Sequence, residues 1–142
     1  MGKYNSRPEA VPVDFDDLLL VSKIVTSEAG SNWLSDEHQQ LVASVLLNRV
    51  ASPEFPDTIY NCAYQKGQYA SGFKKIKPNE RSVKNALYIL ENGSIAPPDV
   101  VFQSNNPNLG SGIWKEIPDE HLRTSYFNYS NYRNLYKEAD PE

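Results

Sequence analysis

Within the stretch "LLLVSKIVTSEAGSNW" (18–33), Glu28 is an acidic side chain at the end of an otherwise apolar helical stripe. At 100° per residue, Leu18, Val21, Ile24, Val25 and Glu28 fall in one sector of a helix, while Ser22, Lys23, Thr26 and Ser27 fall outside it. A carboxyl group on that inward side loses hydration, which disfavours its charged form and raises its pKa. A carboxyl that holds its proton near neutral pH can act as a general acid, and protonating the leaving oxygen of a glycosidic bond is a typical task for such a group. The same position also admits a structural role, in which Glu28 ends its helix at the surface or pairs with Arg49.

Other residues could assist. Tyrosine occurs nine times, and Tyr64, Tyr69, Trp33 and Trp114 lie in segments read as loops rather than in apolar stripes. Rings so placed either stack on the apolar faces of sugars or cover a small core. Gln68, in "KGQYAS", has a donor and an acceptor on one short side chain, suited to a hydroxyl or an N-acetyl group, or equally to bracing its own loop. Asn48 and Arg49 close the second apolar helix and are expected in a buried polar network. Ser27 lies beside Glu28 but has no G-x-S-x-G context and no histidine placed by sequence, so a serine nucleophile is not supported. Asp36, Glu37, Glu80, Asp99 and Glu116 all fall in segments expected to be exposed, which leaves Glu28 without an obvious second carboxylate.

Helices must position these groups. Asp14 or Asp16 can cap a helix ending near Glu28 or Ala29, with Gly30 placed to stop it. Ser35 caps a second helix over 36–51, with Asp36 and Glu37 in its first turn and Pro53 and Pro56 beyond its end. A shorter helical turn is expected within 57–65, capped by Asp57, and "KGQYASGF" reads as a loop. A third helix spans 79–93, with Gly93 as its terminating residue. The pattern then turns to "VVFQS" (100–104), a strand, "NNPNLGSG" (105–112), a connector, and "SYFNYSNY" (125–132), a further extended segment.

A chain of 142 residues with 39% hydrophobic content fits a single domain, expected over 14–136, between a flexible arm (1–13) and a frayed tail (137–142). The net charge of −4 and pI near 5.2 lack the basic footprint of a nucleic-acid binder. The lysine run "KKIK" (74–77) reads as a solvated loop. Cys62 is the sole cysteine, so no internal disulfide forms, and with His38 and His121 scattered no metal site is expected. The segment "MGKYNSRPEAVPVDFDD" has no apolar run, so neither a signal peptide nor a membrane span is expected.

In order and spacing, "SKIVTSEAG", "QQLVASVLLNRVASPEFPDTIYNCAYQKGQYAS" and "VVFQSNNPN…W" resemble the bacterial cell-wall hydrolase family that includes the catalytic domain of the spore cortex-lytic enzyme. The resemblance covers about residues 16–130. It implies an α+β, lysozyme-like or lytic-transglycosylase-like domain, mostly helical with a small β region in the C-terminal third. The implied partner is the peptidoglycan glycan strand, cleaved by a monomer without a cofactor. The family's catalytic glutamate falls on Glu28, and its "GQ-aromatic" element falls on Gly67, Gln68 and Tyr69, so Gln68, Tyr69, Trp33, Tyr64 and Trp114 are the expected substrate contacts. The chain departs from the family in having "EAGSNW" after the acid and "RTSYFNY", without a histidine, near its C-terminus. A single-acid lytic transglycosylase or a muramidase is the expected activity. The alternative is a non-catalytic wall-binding or phage-particle module on the same fold, and a phage lysin released through a membrane pore would need no signal peptide.

Overall fold

Four of the helices begin where a short polar side chain satisfies a free backbone amide of the first turn. The computed structural model describes residues 10, 12–31, 34–65, 69, 71–119 and 123–137. Asp14 Oδ1 accepts from Asp17 N at 2.8 Å and opens α1 (Phe15–Ala29). Ser35 Oγ accepts from His38 N at 3.0 Å at the head of α2 (Asp36–Ala51). Thr58, rather than Asp57, caps α3 (Ile59–Ala63), because its hydroxyl is the group that reaches Asn61 N, at 3.0 Å. A 3₁₀ turn (Ser71–Lys75) lies within the segment read as loop and lysine run. Asn79 caps α4 (Glu80–Asn92), which ends at Gly93 with φ +90°, a conformation that costs other residues strain.

The core is built around α2. From Leu41 to Arg49 every residue of α2 is buried, as expected for a helix wrapped by neighbours on all sides. It packs against α1, α3, α4 and the first strand. Val21, Ile24 and Val25 of α1 are buried and Leu18 packs against the same cluster. Ser22, outside the apolar sector of the wheel, is buried as well, because α1 is covered by α2, α3, α4 and the 3₁₀ turn and so has more than one inward side.

Three strands complete the α+β architecture: β1 (Val100–Ser104), β2 (Ile113–Ile117) and β3 (Ser125–Tyr129), in spatial order β1-β3-β2 and antiparallel throughout. Strand β2 was not expected from sequence. Its "IWKEI" carries two charges and lies at a sheet edge, where partial burial weakens the alternation that marks a strand. Trp114 therefore sits in a strand and not a loop.

Polar side chains fasten the sheet to the helices. Asn48 Nδ2 donates to the carbonyls of Pro97 and Val100, both at 2.8 Å, and Arg49 Nε donates to Val101 O at 2.7 Å. Replacing Asn48 by Ala leaves two carbonyls without that donor and is expected to cost about 2 kcal/mol, read as a lower midpoint in urea denaturation. Asp99, expected to be exposed, is 7% exposed. It is covered by the chain after β3: its Oδ2 accepts from Arg133 Nε at 2.9 Å and its carbonyl from Ser130 N at 2.8 Å. Glu54 Oε2 accepts from Ser130 Oγ and from Tyr136 OH, joining α5 (Asn134–Lys137) to the α2–α3 connection.

Of the expected arm 1–13, only residues 10, 12 and 13 are described, and the expected tail beyond Lys137 lies outside the described residues. Among the described residues no helix is long and apolar enough to cross a membrane.

Candidate active site

Glu28 occupies the last turn of α1, and neighbouring elements hold that turn in place. Gln39 Nε2, from the buried face of α2, donates to Ala29 O at 2.9 Å. Asn85 of α4 in turn donates to Gln39 Oε1 at 2.7 Å and to Asp36 Oδ1 at 3.0 Å, while Asn79 Nδ2 donates to Gly30 O at 3.3 Å. A Cβ at position 30 would run into the Thr26 carbonyl, so glycine lets the chain turn away directly after the acid. These contacts tie the backbone beside Glu28 to both α2 and α4.

The carboxyl itself is half-buried. Burial raises its pKa, and the Arg49 guanidinium partly opposes the rise. No basic residue lies in the last turn of α1, and the negative end of the helix dipole also disfavours a charge there. Among the described residues the carboxyl has no hydrogen-bond or ion-pair partner, so it stays available to a ligand.

Glu28 lines a cleft of about 280 Å³ together with Leu34, Gln103, Asn105, Arg123 and Ser125. The helical bundle supplies one wall and the sheet the other. Gln103 stands on β1 opposite Phe127, and Ser125 opens β3. Asn105 Nδ2 donates to Thr124 O at 2.8 Å, which ties the end of β1 to the approach of β3. None of the described residues lining this cleft besides Glu28 is a carboxylate.

Arg49 reaches the neighbourhood of Glu28 from α2. It is 4% exposed and its Cζ lies 5.1 Å from the Phe55 ring centroid and 5.2 Å from that of Tyr69. Such a guanidinium is held by cation–π contacts and by the Val101 carbonyl. Tyr69 is thus next to the acid: burial pushes its phenol pKa up, Arg49 counters, and Glu28 adds to the rise. Its ring also meets Phe73 edge-on at 6.5 Å.

The remaining expected contacts divide. Trp33 and Gln68 lie outside the described residues. Tyr64 is 40% exposed and stacks on Tyr60 with centroids 4.5 Å apart. It lines a separate groove of about 470 Å³ with Asp14, Asp16 and Asp17, which does not contain Glu28. Trp114 packs against the core from β2, with Lys115 Nζ 5.8 Å from its ring, and is not among the cleft-lining residues. Gln103, Asn105, Arg123 and Ser125 were missed. The available signal was period two in "VVFQS", which puts Gln103 on the same side as buried Val101 and leaves an amide at the end of an apolar face.

Two other polar groups are inert here. His38 is 1% exposed, meets Phe127 edge-on at 5.8 Å, and has its pKa lowered by burial, so it stays neutral. The Cys62 thiol is pushed up to about 11, mainly by burial, and is no nucleophile. Among the described residues no group of His, Cys, Asp or Glu is arranged to hold a metal ion.

A sequence profile of the Cell Wall Hydrolase family matches residues 34–111. Among solved structures, the catalytic domain of the germination-specific lytic transglycosylase SleB from Bacillus anthracis matches with a TM-score of 0.61 and 24% identity, over 82% of this chain and 98% of that one. The catalytic domain of the Bacillus cereus SleB protein matches with a TM-score of 0.59 and 23% identity, over 82% and 94%. At these identities the two structures establish a shared fold. No curated protein matches the chain.

Proposed function

Because this chain belongs to the Cell Wall Hydrolase family, we propose that it cleaves the glycan strand of peptidoglycan with Glu28 as the single general acid and base. The observation that carries this reading is a half-buried carboxyl of raised pKa, without a hydrogen bond or ion pair among the described residues, facing a cleft lined by no other described carboxylate. Hydrolysis by the usual two-carboxyl routes needs a second acidic group to activate water or form a covalent intermediate. A lytic transglycosylase does not, since its nucleophile belongs to the substrate. Glu28 gives its proton to the bridging oxygen as the C1–O bond breaks, leaving an oxocarbenium-like sugar. The resulting carboxylate takes the proton of the muramic acid C6 hydroxyl, and O6 bonds to C1 to give a 1,6-anhydro end.

Arg49 fits both halves of this cycle. Burial alone raises the pKa and disfavours the charged carboxylate that must form once the proton has passed to the leaving oxygen. The nearby guanidinium limits the rise and makes the charged state accessible. The lytic transglycosylase activity named for the B. anthracis relative supports the same branch. Incubation with purified sacculi, followed by mass spectrometry of the released fragments, is expected to yield anhydro-muramic ends. Reducing ends would instead make the protein a muramidase. Sedimentation with sacculi that stay intact would make it a binding module.

A further inference from the structure

We propose that the Tyr69 hydroxyl, with Arg49 beside it, is a positioning group for the charged form of Glu28: once the acid has given up its proton, its carboxylate accepts a hydrogen bond from the phenol, and this contact governs how readily the base of the second step forms. The inference rests on Glu28 being the acid of the proposed reaction.

Ring contacts hold Tyr69 while its polar end is left over. Arg49 Cζ lies 5.2 Å from the ring centroid, and Phe73 meets the ring edge-on at 6.5 Å. The hydroxyl oxygen is buried and, among the described residues, has no hydrogen-bond partner. Arg49 shares this condition: its Nε donates to the Val101 carbonyl at 2.7 Å, whereas its Nη1 is buried without a partner. A buried phenol normally finds an acceptor, because without one it forfeits the hydrogen bonds it made to water. Two such donors side by side are matched to an anion that forms only part of the time.

Glu28 is that anion. The titratable groups whose charge acts on Tyr69 are Arg49, Glu28 and Cys62. The Cys62 thiol donates to Pro56 O at 3.0 Å and, with its pKa pushed up to about 11, stays neutral. Of the other charged groups around α1, Arg81 of α4 donates to Asp36 Oδ1 and Ser31 O, both at 3.0 Å, and Lys23 of α1 donates to Lys74 O at 3.2 Å. Lys74 of the 3₁₀ turn sits over the Tyr64 ring, and Arg123 lies on the cleft wall. None of these four cations can accept from a phenol. As a carboxylate, Glu28 presents two oxygens that only accept. A hydrogen bond to a charged group is roughly twice as strong as a neutral one, so the phenol favours the carboxylate over the acid. Its own proton stays in place, since burial raises its pKa. The competing partner is Gln65 Oε1, a buried acceptor without a partner in the segment leading to Tyr69.

Tyr69→Phe keeps the ring and removes the hydroxyl, and three readouts on the full chain follow it. Carbon-13 NMR of labelled glutamate, with Glu28→Gln assigning the signal, is expected to show the Glu28 titration midpoint raised by about one unit, a ten-fold loss of carboxylate stabilisation. On sacculi, the alkaline limb of the kcat/KM profile is expected to move up with it and kcat at the optimum to fall roughly ten-fold, since charge develops on Glu28 as its proton leaves. At about pH 4, where Glu28 holds its proton, the thermal midpoint should be unchanged or higher, because a buried hydroxyl without a partner is gone. An unmoved Glu28 midpoint would overturn the proposal, as would a Tyr69→Phe protein less stable than the parent in that acid measurement, the result that pairing of the phenol with Gln65 predicts. A raised midpoint in a protein that cleaves no sacculi would uphold the contact while removing the catalytic reading of Glu28.

Discussion

Glu28→Gln is expected to lower the rate of sacculus solubilisation by at least about a thousand-fold, the upper part of the range for losing a general acid. The fold should survive. The amide keeps the shape of the carboxyl and has no charge to desolvate, so the thermal midpoint should be unchanged or higher. The raised pKa of Glu28 fixes two signs. The proposed mechanism needs the protonated form at its first step, so activity in the parent protein is expected to fall as pH rises through the elevated pKa. Stability follows the same direction, because a group whose folded pKa is raised binds its proton more tightly when folded. Below its ordinary value near 4.5 both states are protonated and Glu28 imposes no charge penalty. As pH rises past the folded value the native state must hold a half-buried carboxylate, and the parent loses stability relative to Glu28→Gln. Denaturation of both proteins at pH 4 and pH 8 checks this: a difference that fails to widen in favour of the variant at pH 8 would contradict the environment described for the acid.

The largest structural effect is expected at Phe127. Its ring is fully buried at the middle of β3, between Gln103 on β1 and Lys115 on β2, and packs edge-on against His38 of α2. Phe127→Ala removes that contact and leaves a cavity where sheet and helix meet, at a cost of about 3–5 kcal/mol. For a chain of this size the thermal midpoint should fall by roughly 10–20 °C. Activity should fall beyond what unfolding explains, because Gln103 lies directly across the ladder and the sheet wall of the cleft depends on this packing. Thermal denaturation monitored by circular dichroism, with sacculus assays well below the midpoint, separates the two effects. A loss under about 1 kcal/mol would mean that the sheet does not rest on α2 as described.

Much of the helical frame was legible because its cues are local. Asp14, Ser35 and Gly93 each act on the backbone within a few residues, and the wheel that places Glu28 beside Val21, Ile24 and Val25 needs only helical periodicity. The α+β character and the strands at 100–104 and 125–129 were legible for the same reason, whereas β2 between them was not. Asp57 was misjudged as a cap because two adjacent residues could both serve, and only side-chain geometry favours Thr58. The burial of Asp99 was not legible, since the group covering it, Arg133, lies 34 residues away in sequence.

The site divides along the same line. From the sequence alone came one acid at the end of one apolar stripe, together with the ordered motifs that resemble a cell-wall hydrolase. Tertiary structure decided what faces that acid: Gln103, Asn105, Arg123 and Ser125 come to it through antiparallel pairing, Arg49 comes from α2, and Tyr64 is carried off to another groove. Helix periodicity is set by neighbours three and four residues apart, so it can be read along the chain. A cleft between a helix end and a sheet is set by contacts between segments some 75 to 100 residues apart, and which of them meet is settled only when the whole core closes.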